Sequence, residues 1–159
     1  MKLIGMALIV ASTVVFSHQK ALSEERRLSI LEELLRFIER IRIEIGCYLK
    51  TISEIASDFQ SELLCELGFF EALKSEGVYN AYLKIEPMIS MSEDTKKLLQ
   101  RFFYLLGNGY ADEQLKLIDN TSARLSEIIK TESQNLPKRK KLIITLSCAA
   151  ALSLIILLI

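Results

Sequence analysis

Residues 138–159 constrain this chain more than any other stretch: Lys138, Arg139, Lys140 and Lys141 are followed by eighteen residues, 142–159, without a charge. At roughly 1.5 Å of rise per residue, such a helix is at the short end of what crosses a hydrocarbon core of about 30 Å. The expectation is a transmembrane helix ending the chain as a tail anchor, with its basic flank retained in the cytoplasm. The competing possibility is a core helix of a water-soluble domain. It would leave about 115 residues to wrap a helix that is apolar all round, which is poor covering for a domain of that size.

A second uncharged run, residues 3–17, follows Met1 and Lys2 and precedes His18, Gln19 and Lys20. It has the length of a signal-peptide h-region, and Ala21, Leu22 and Ser23 offer a poor cleavage site beyond Lys20. A lipoprotein signal is excluded, because no cysteine lies in or just after the run. As a retained anchor the run is short, but His18 and Lys20 are able to snorkel to the headgroups. Lys20, Arg26 and Arg27 outweigh Lys2 and the amino terminus, which places the middle of the chain inside the cell, as the 138–141 cluster does independently. The balance favours a retained anchor over a cleaved signal.

The expected organisation is therefore an N-terminal hydrophobic segment over 1–20, one cytoplasmic helical domain over 21–137, and a basic flank with a transmembrane helix over 138–159. Formal net charge is zero and the acids and bases are interspersed, so there is no extended basic face for nucleic acid and no acidic tail. Cys47 and Cys65 lie in the expected domain and Cys148 in the expected span, with no regular spacing, and the expected compartment keeps thiols reduced. That argues against a disulfide framework or a zinc site and predicts buried thiols.

Every strong periodicity is helical, and no stretch alternates with a period of two. Leu28, Leu31, Leu35, Ile38, Ile45 and Leu49 form a stripe widened by Leu34 and Ile41 and interrupted by Arg42. The first helix thus runs to about Leu49, continuous with the N-terminal segment. Thr51 and Glu54 read as a capping box opening a helix near Ile52, with Ile55, Ala56, Phe59 and Leu63 on its apolar face. Short helices are expected over 69–73 and 78–85. Ser92, with Glu93 and Asp94 behind it, caps a helix that ends at Gly107, Asn108 and Gly109. A last helix starts near Ala111 or Asp112, and Pro137 is expected to close it. The fold class is all-α, a bundle of about five to six antiparallel helices between two terminal membrane segments.

Catalytic constellations are missing from this pattern, and no enzyme activity, cofactor, metal or small-molecule substrate is expected. The only histidine, His18, stands at the membrane boundary, which leaves histidine base catalysis or ligation little to stand on. The acid pairs Glu24/Glu25 and Glu32/Glu33 sit beside arginines and read as solvated-face charges. Gly107, Asn108 and Gly109 lack the lysine and the Ser or Thr of a phosphate-binding loop. Lys138, Arg139, Lys140 and Lys141 set topology and are able to touch anionic lipid.

Two stretches and the order of parts resemble the stage III sporulation protein AB family. Tyr48, Leu49, Lys50 and Thr51, followed by Ala56, look like its Tyr-x-x-Thr-Pro-Leu-x-x-Ala stretch, with Ile52 for the proline and Ser53 for the leucine. Leu106 and Gly107, with Gln114 seven positions on, resemble its Leu-Gly-x-x-Asp-x-x-x-Gln motif, with Tyr110 in place of the aspartate. The glycine-dotted terminal span of many members is replaced by Ala149, Ala150 and Ala151.

The resemblance implies a mother-cell membrane protein of the channel complex that joins mother cell to forespore. It also implies a helical domain similar to that of the type II secretion F platform protein, with a stage III AA-like ATPase and other channel-complex proteins as partners. Tyr48, Thr51, Leu106, Gly107 and Gln114 are its candidate positions. The 106–114 turn is read either as a contact element or simply as a backbone turn. A different class remains open from the residues alone: an exported helical interaction module with a cleaved signal peptide and a C-terminal anchor.

Overall fold

The computed structural model describes the backbone of residues 2–47 and 50–158, and the side chains of residues 12–13, 15–45, 50–150 and 153. Within those residues the chain is all-helical: α1 (Lys2–Cys47), α2 (Ile52–Asp58), α3 (Glu62–Glu66), α4 (Phe69–Glu76), α5 (Val78–Ile85), a 3-10 turn (Glu86–Met88), α6 (Glu93–Leu105) and α7 (Ala111–Leu158). The expected five to six helices become seven among the described residues. The terminal segments are continuous with α1 and α7, and α3 is a separate short helix.

Two compact units divide the chain, one of residues 1–26 with 131–159 and the other Arg27–Lys130. In the second, the α1 stripe that packs inward is Leu28, Ile30, Leu31, Leu34, Phe37, Ile38 and Ile41. It is rotated from the expected one: Leu35 and Ile45 are half-buried, and Leu49 lies outside the described residues. The aromatic ring explains the rotation. Phe37 meets Phe59, Phe69 and Phe70 edge-on at 5.3, 5.5 and 6.0 Å between centroids, so the helix face carrying it is held against α4. Arg42 is exposed beside the stripe, where its guanidinium donates to Asp119 of α7.

Phe69 passes the aromatic contact on to Phe103 of α6 at 6.1 Å, and Phe103 stacks on Tyr82 of α5 at 4.9 Å. Four helices thus share one chain of rings. The Tyr82 hydroxyl still donates to the Lys96 carbonyl at 3.4 Å. Burial, and then the nearby Glu86 charge, raises its pKa, so it stays a neutral donor.

Local chemistry sets the element boundaries. Thr51 forms the capping box: its hydroxyl oxygen accepts from the Glu54 N–H at 3.3 Å while the Glu54 carboxylate accepts from the Thr51 N–H at 2.8 Å. The helix it opens stops at Asp58 instead of running on to Leu63. Phe59 turns extended (φ −89°, ψ 124°), and the Ser61 hydroxyl oxygen captures the Leu64 N–H at 3.2 Å, starting α3 afresh. Ser92 caps α6 in the same way through the Thr95 N–H at 3.3 Å.

Pro137 does not end α7, which continues to Leu158. Proline removes one N–H and crowds the preceding turn. Here Pro137 is exposed, and a carbonyl left without its donor on that side is open to solvent, so the helix passes through. The thiols of Cys65 and Cys148 are exposed, contrary to the expected burial, while the side chain of Cys47 is outside the described residues. Cys65 is the outward neighbour of Leu64, the buried residue of the short α3.

Among the described residues no helix is long and apolar enough to cross a membrane. Both expected spans lie in good part outside the described side chains: residues 3–11 and 14 of the first, and 151–152 and 154–159 of the second.

Candidate functional site

The candidate positions fall into two places, the turn between α6 and α7 and the basic cluster of α7. At the turn, α6 ends when the Leu106 N–H bonds to the Phe102 carbonyl at 2.9 Å, and Leu106 itself is buried. Gly107 follows at φ +86°. This is the left-handed region, which costs an L side chain roughly 1–2 kcal/mol. Asn108, Gly109 and Tyr110 then cross over exposed, Tyr110 most of all at 83 %.

Gln114 holds this turn from below. Its side-chain carbonyl accepts from the Gly107 N–H at 3.0 Å, and its amide donates to the carbonyls of Asn108 at 2.8 Å and Leu105 at 3.2 Å. The residue is buried, so the Gly107 N–H and the Asn108 carbonyl find a partner at a sharp turn, and the Leu105 carbonyl, which already accepts from the Asn108 N–H at 3.1 Å, gains a second donor. No other side-chain type offers one acceptor and two donors on a stem of this length apart from the shorter asparagine.

The other family-like stretch lies against the same turn. A Cβ placed on Gly107 would come within 3.6 Å of Ile52 Cδ1, in the first turn of α2 just beyond the Thr51 cap. Thr51, Leu106, Gly107 and Gln114 are thus gathered where the start of α2 meets the α6–α7 turn. Tyr48 lies outside the described residues. Glu54, the partner of Thr51, has its pKa lowered, first by the Thr51 backbone N–H and then by its hydroxyl.

The basic cluster lies in the unit formed by residues 1–26 and 131–159. There Arg139 approaches Glu24 at 3.7 Å, and Lys140 Nζ donates to the Glu25 carboxylate. Lys138 and Lys141 are exposed. The expected solvated acids at 24 and 25 are therefore ion-pair partners for the cations of α7. Glu33 instead keeps a local partner, Arg36, one turn away at 2.6 Å.

A buried carboxylate escaped the sequence reading. Glu44 is only 3 % exposed, held by Arg40 at 2.6 Å and Lys50 at 3.5 Å. Its spacing of seven from Phe37 and three from Ile41 put it on the inward stripe, a signal that its charge masked. Lys50 also reaches Asp58 at 3.0 Å, tying the end of the α1–α2 connection to α2. This hydrogen bond is the first of several causes that raise its pKa. Among the described residues no group of three or more His, Cys, Asp or Glu side chains is placed to hold a metal ion.

An all-helical unit with a glutamine-clamped Leu-Gly turn defines a helical bundle protein. The chain belongs to the stage III sporulation protein AB family, whose model matches residues 2–159. It is therefore a sporulation-related protein. No curated protein and no solved structure matches it.

Proposed function

We propose that this chain is a non-enzymatic, membrane-anchored scaffold of the sporulation channel complex, presenting its helical unit to a cytoplasmic ATPase of the stage III AA type. The observation that carries the reading is membership of the family over residues 2–159, end to end, so that both uncharged terminal runs are part of the match. The membrane is the mother-cell membrane facing the forespore, and the uncharged runs 3–17 and 142–159 are its anchors.

Tethering at both ends gives the unit a function that needs no catalytic residue. A bundle held twice to one bilayer meets any partner on that surface at a high effective concentration and in a restricted orientation. Strain applied by an ATPase at the bundle surface passes into α1 and α7, because each is one uninterrupted helix into its terminal segment. A role like that of the type II secretion F platform protein follows by analogy.

The test is binding of the purified stage III AA ATPase from the same organism to the full-length chain in lipid nanodiscs, measured by co-sedimentation. Saturable binding, lost with empty discs, is expected. Absence of binding with and without ATP would overturn the ATPase-facing role.

A further inference from the structure

The unit Arg27–Lys130 carries two surfaces of opposite charge on different helices. The first is a groove of about 760 Å3 between α6 and α7, lined by the cations Lys97, Arg101 and Arg124 against a single carboxylate, Asp94, with Leu98 and Leu117 among its apolar residues. On or next to α1, Arg36, Arg40, Arg42 and Lys50 are each neutralised by a carboxylate. Lys97, Arg101 and Arg124 have no such partner among the described residues. Three like charges around one concave surface raise its potential and favour an anionic occupant.

The second surface lies on α3 and α4. Between positions 58 and 76 there are five carboxylates, Asp58, Glu62, Glu66, Glu71 and Glu76, and one cation, Lys74. All of them are exposed, and Asp58 pairs with Lys50. Leu63, Leu67 and Phe70, half-buried, are interspersed with these acids. An acidic surface with part-exposed apolar side chains complements a basic groove with an apolar floor in both respects.

We propose that the two surfaces are the halves of one contact between copies of this chain, the α3–α4 surface of one copy seated in the α6–α7 groove of the next. Because groove and acidic surface are different patches, the contact is heterologous: each copy uses one patch toward each neighbour. Repetition then closes into a ring or extends as a filament according to the rotation per step. The contact is independent of any ATPase, and it gives the scaffold a means of multiplying itself in the membrane.

The test is sedimentation velocity of the full-length chain in a non-ionic detergent at low and high salt. Two variants are compared with it: Lys97→Glu/Arg101→Glu/Arg124→Glu and Glu62→Lys/Glu66→Lys/Glu71→Lys. The unaltered chain associates at low salt and dissociates as salt screens the contact. Each variant alone, with like charges on both patches, associates about tenfold or more weakly. An equimolar mixture regains association, since each groove again meets a surface of opposite sign. Should a triple variant lose its helical circular dichroism, the single reversals Lys97→Glu and Glu62→Lys make the same comparison at exposed positions. An unaltered chain that stays monomeric at low salt overturns the proposal. So do reversed variants that associate as strongly as the unaltered chain, or a mixture no stronger than its components.

Discussion

The Gly107 N–H donates to the side-chain carbonyl of Gln114 at 3.0 Å, closing the α6–α7 turn from within the protein. With the two bonds from the Gln114 amide to Asn108 and Leu105, one side chain satisfies three backbone groups. Replacing it by leucine takes the partner from the Gly107 N–H and the Asn108 carbonyl, while the Leu105 carbonyl keeps the Asn108 N–H. The expected loss is about 1–2 kcal/mol, since a lost hydrogen bond costs roughly 0.5–1.5 kcal/mol and the exposed Gly107 and Asn108 regain water in part. Gln114→Glu keeps the acceptor but turns a carboxylate toward two carbonyls, and is expected to be no better at neutral pH. Chemical denaturation of the full-length chain in detergent checks both.

Gly107→Ala separates conformation from space. The added Cβ would sit 3.6 Å from Ile52 Cδ1, an ordinary contact, so steric exclusion contributes little. The expected cost is the left-handed backbone alone, about 1–2 kcal/mol. A far larger loss, read from the same denaturation curves, would mean that α2 approaches the turn more closely than that.

Phe37 joins α1 to three other rings and is fully buried. Phe37→Ala removes the hub of that cluster and is expected to cost about 3–5 kcal/mol. Phe37→Leu retains most of the volume and is expected to cost less. Thermal melts followed by circular dichroism discriminate the two.

The Thr51 cap predicts both a mutational and a pH effect. Thr51→Ala removes the hydroxyl that caps α2 and is expected to cost about 1 kcal/mol. The pKa of Glu54 is lowered in the folded chain by bonds from the Thr51 N–H and hydroxyl. Its contribution is therefore present above the ordinary carboxylate range and is lost as pH falls through the lowered folded value. A carbon-detected titration of the Glu54 carboxyl should give a value below that of a glutamate in the unfolded chain. Thr51→Ala should move it back up.

The ion pairs of Glu24 with Arg139 and Glu25 with Lys140 are open to solvent. Exposed pairs contribute little, so Glu24→Gln/Glu25→Gln is expected to change thermal stability by less than about 1 kcal/mol. A larger loss would show that these pairs are shielded from water.

The locally encoded features were the legible ones. Thr51 and Glu54, Ser92 with the acids behind it, and the Gly107 turn each signal through neighbours within a few positions. What escaped depends on partners far along the chain. Phe59 fits an α2 helix by spacing, and only the Phe37 ring from α1 explains why the backbone turns extended there. Glu44 sits on the inward stripe, but its burial requires Arg40 and Lys50 to converge on it. The family motif singled out Gln114, whose clamp on three backbone groups emerges only when the turn is folded. The pairing of Glu24 and Glu25 with α7 spans more than a hundred residues and leaves no periodic trace.

The central claim, a helical unit held on the cytoplasmic side by two anchors, is tested most directly by thiol accessibility in intact cells. Cys47, Cys65 and Cys148 are first replaced by serine, and single cysteines are then introduced as Lys2→Cys and Glu76→Cys for a membrane-impermeant reagent. The account predicts labelling at position 2 and protection at position 76 until the cells are opened. Labelling of Glu76→Cys in intact cells would contradict it, placing the unit outside and removing the ATPase-facing role with it.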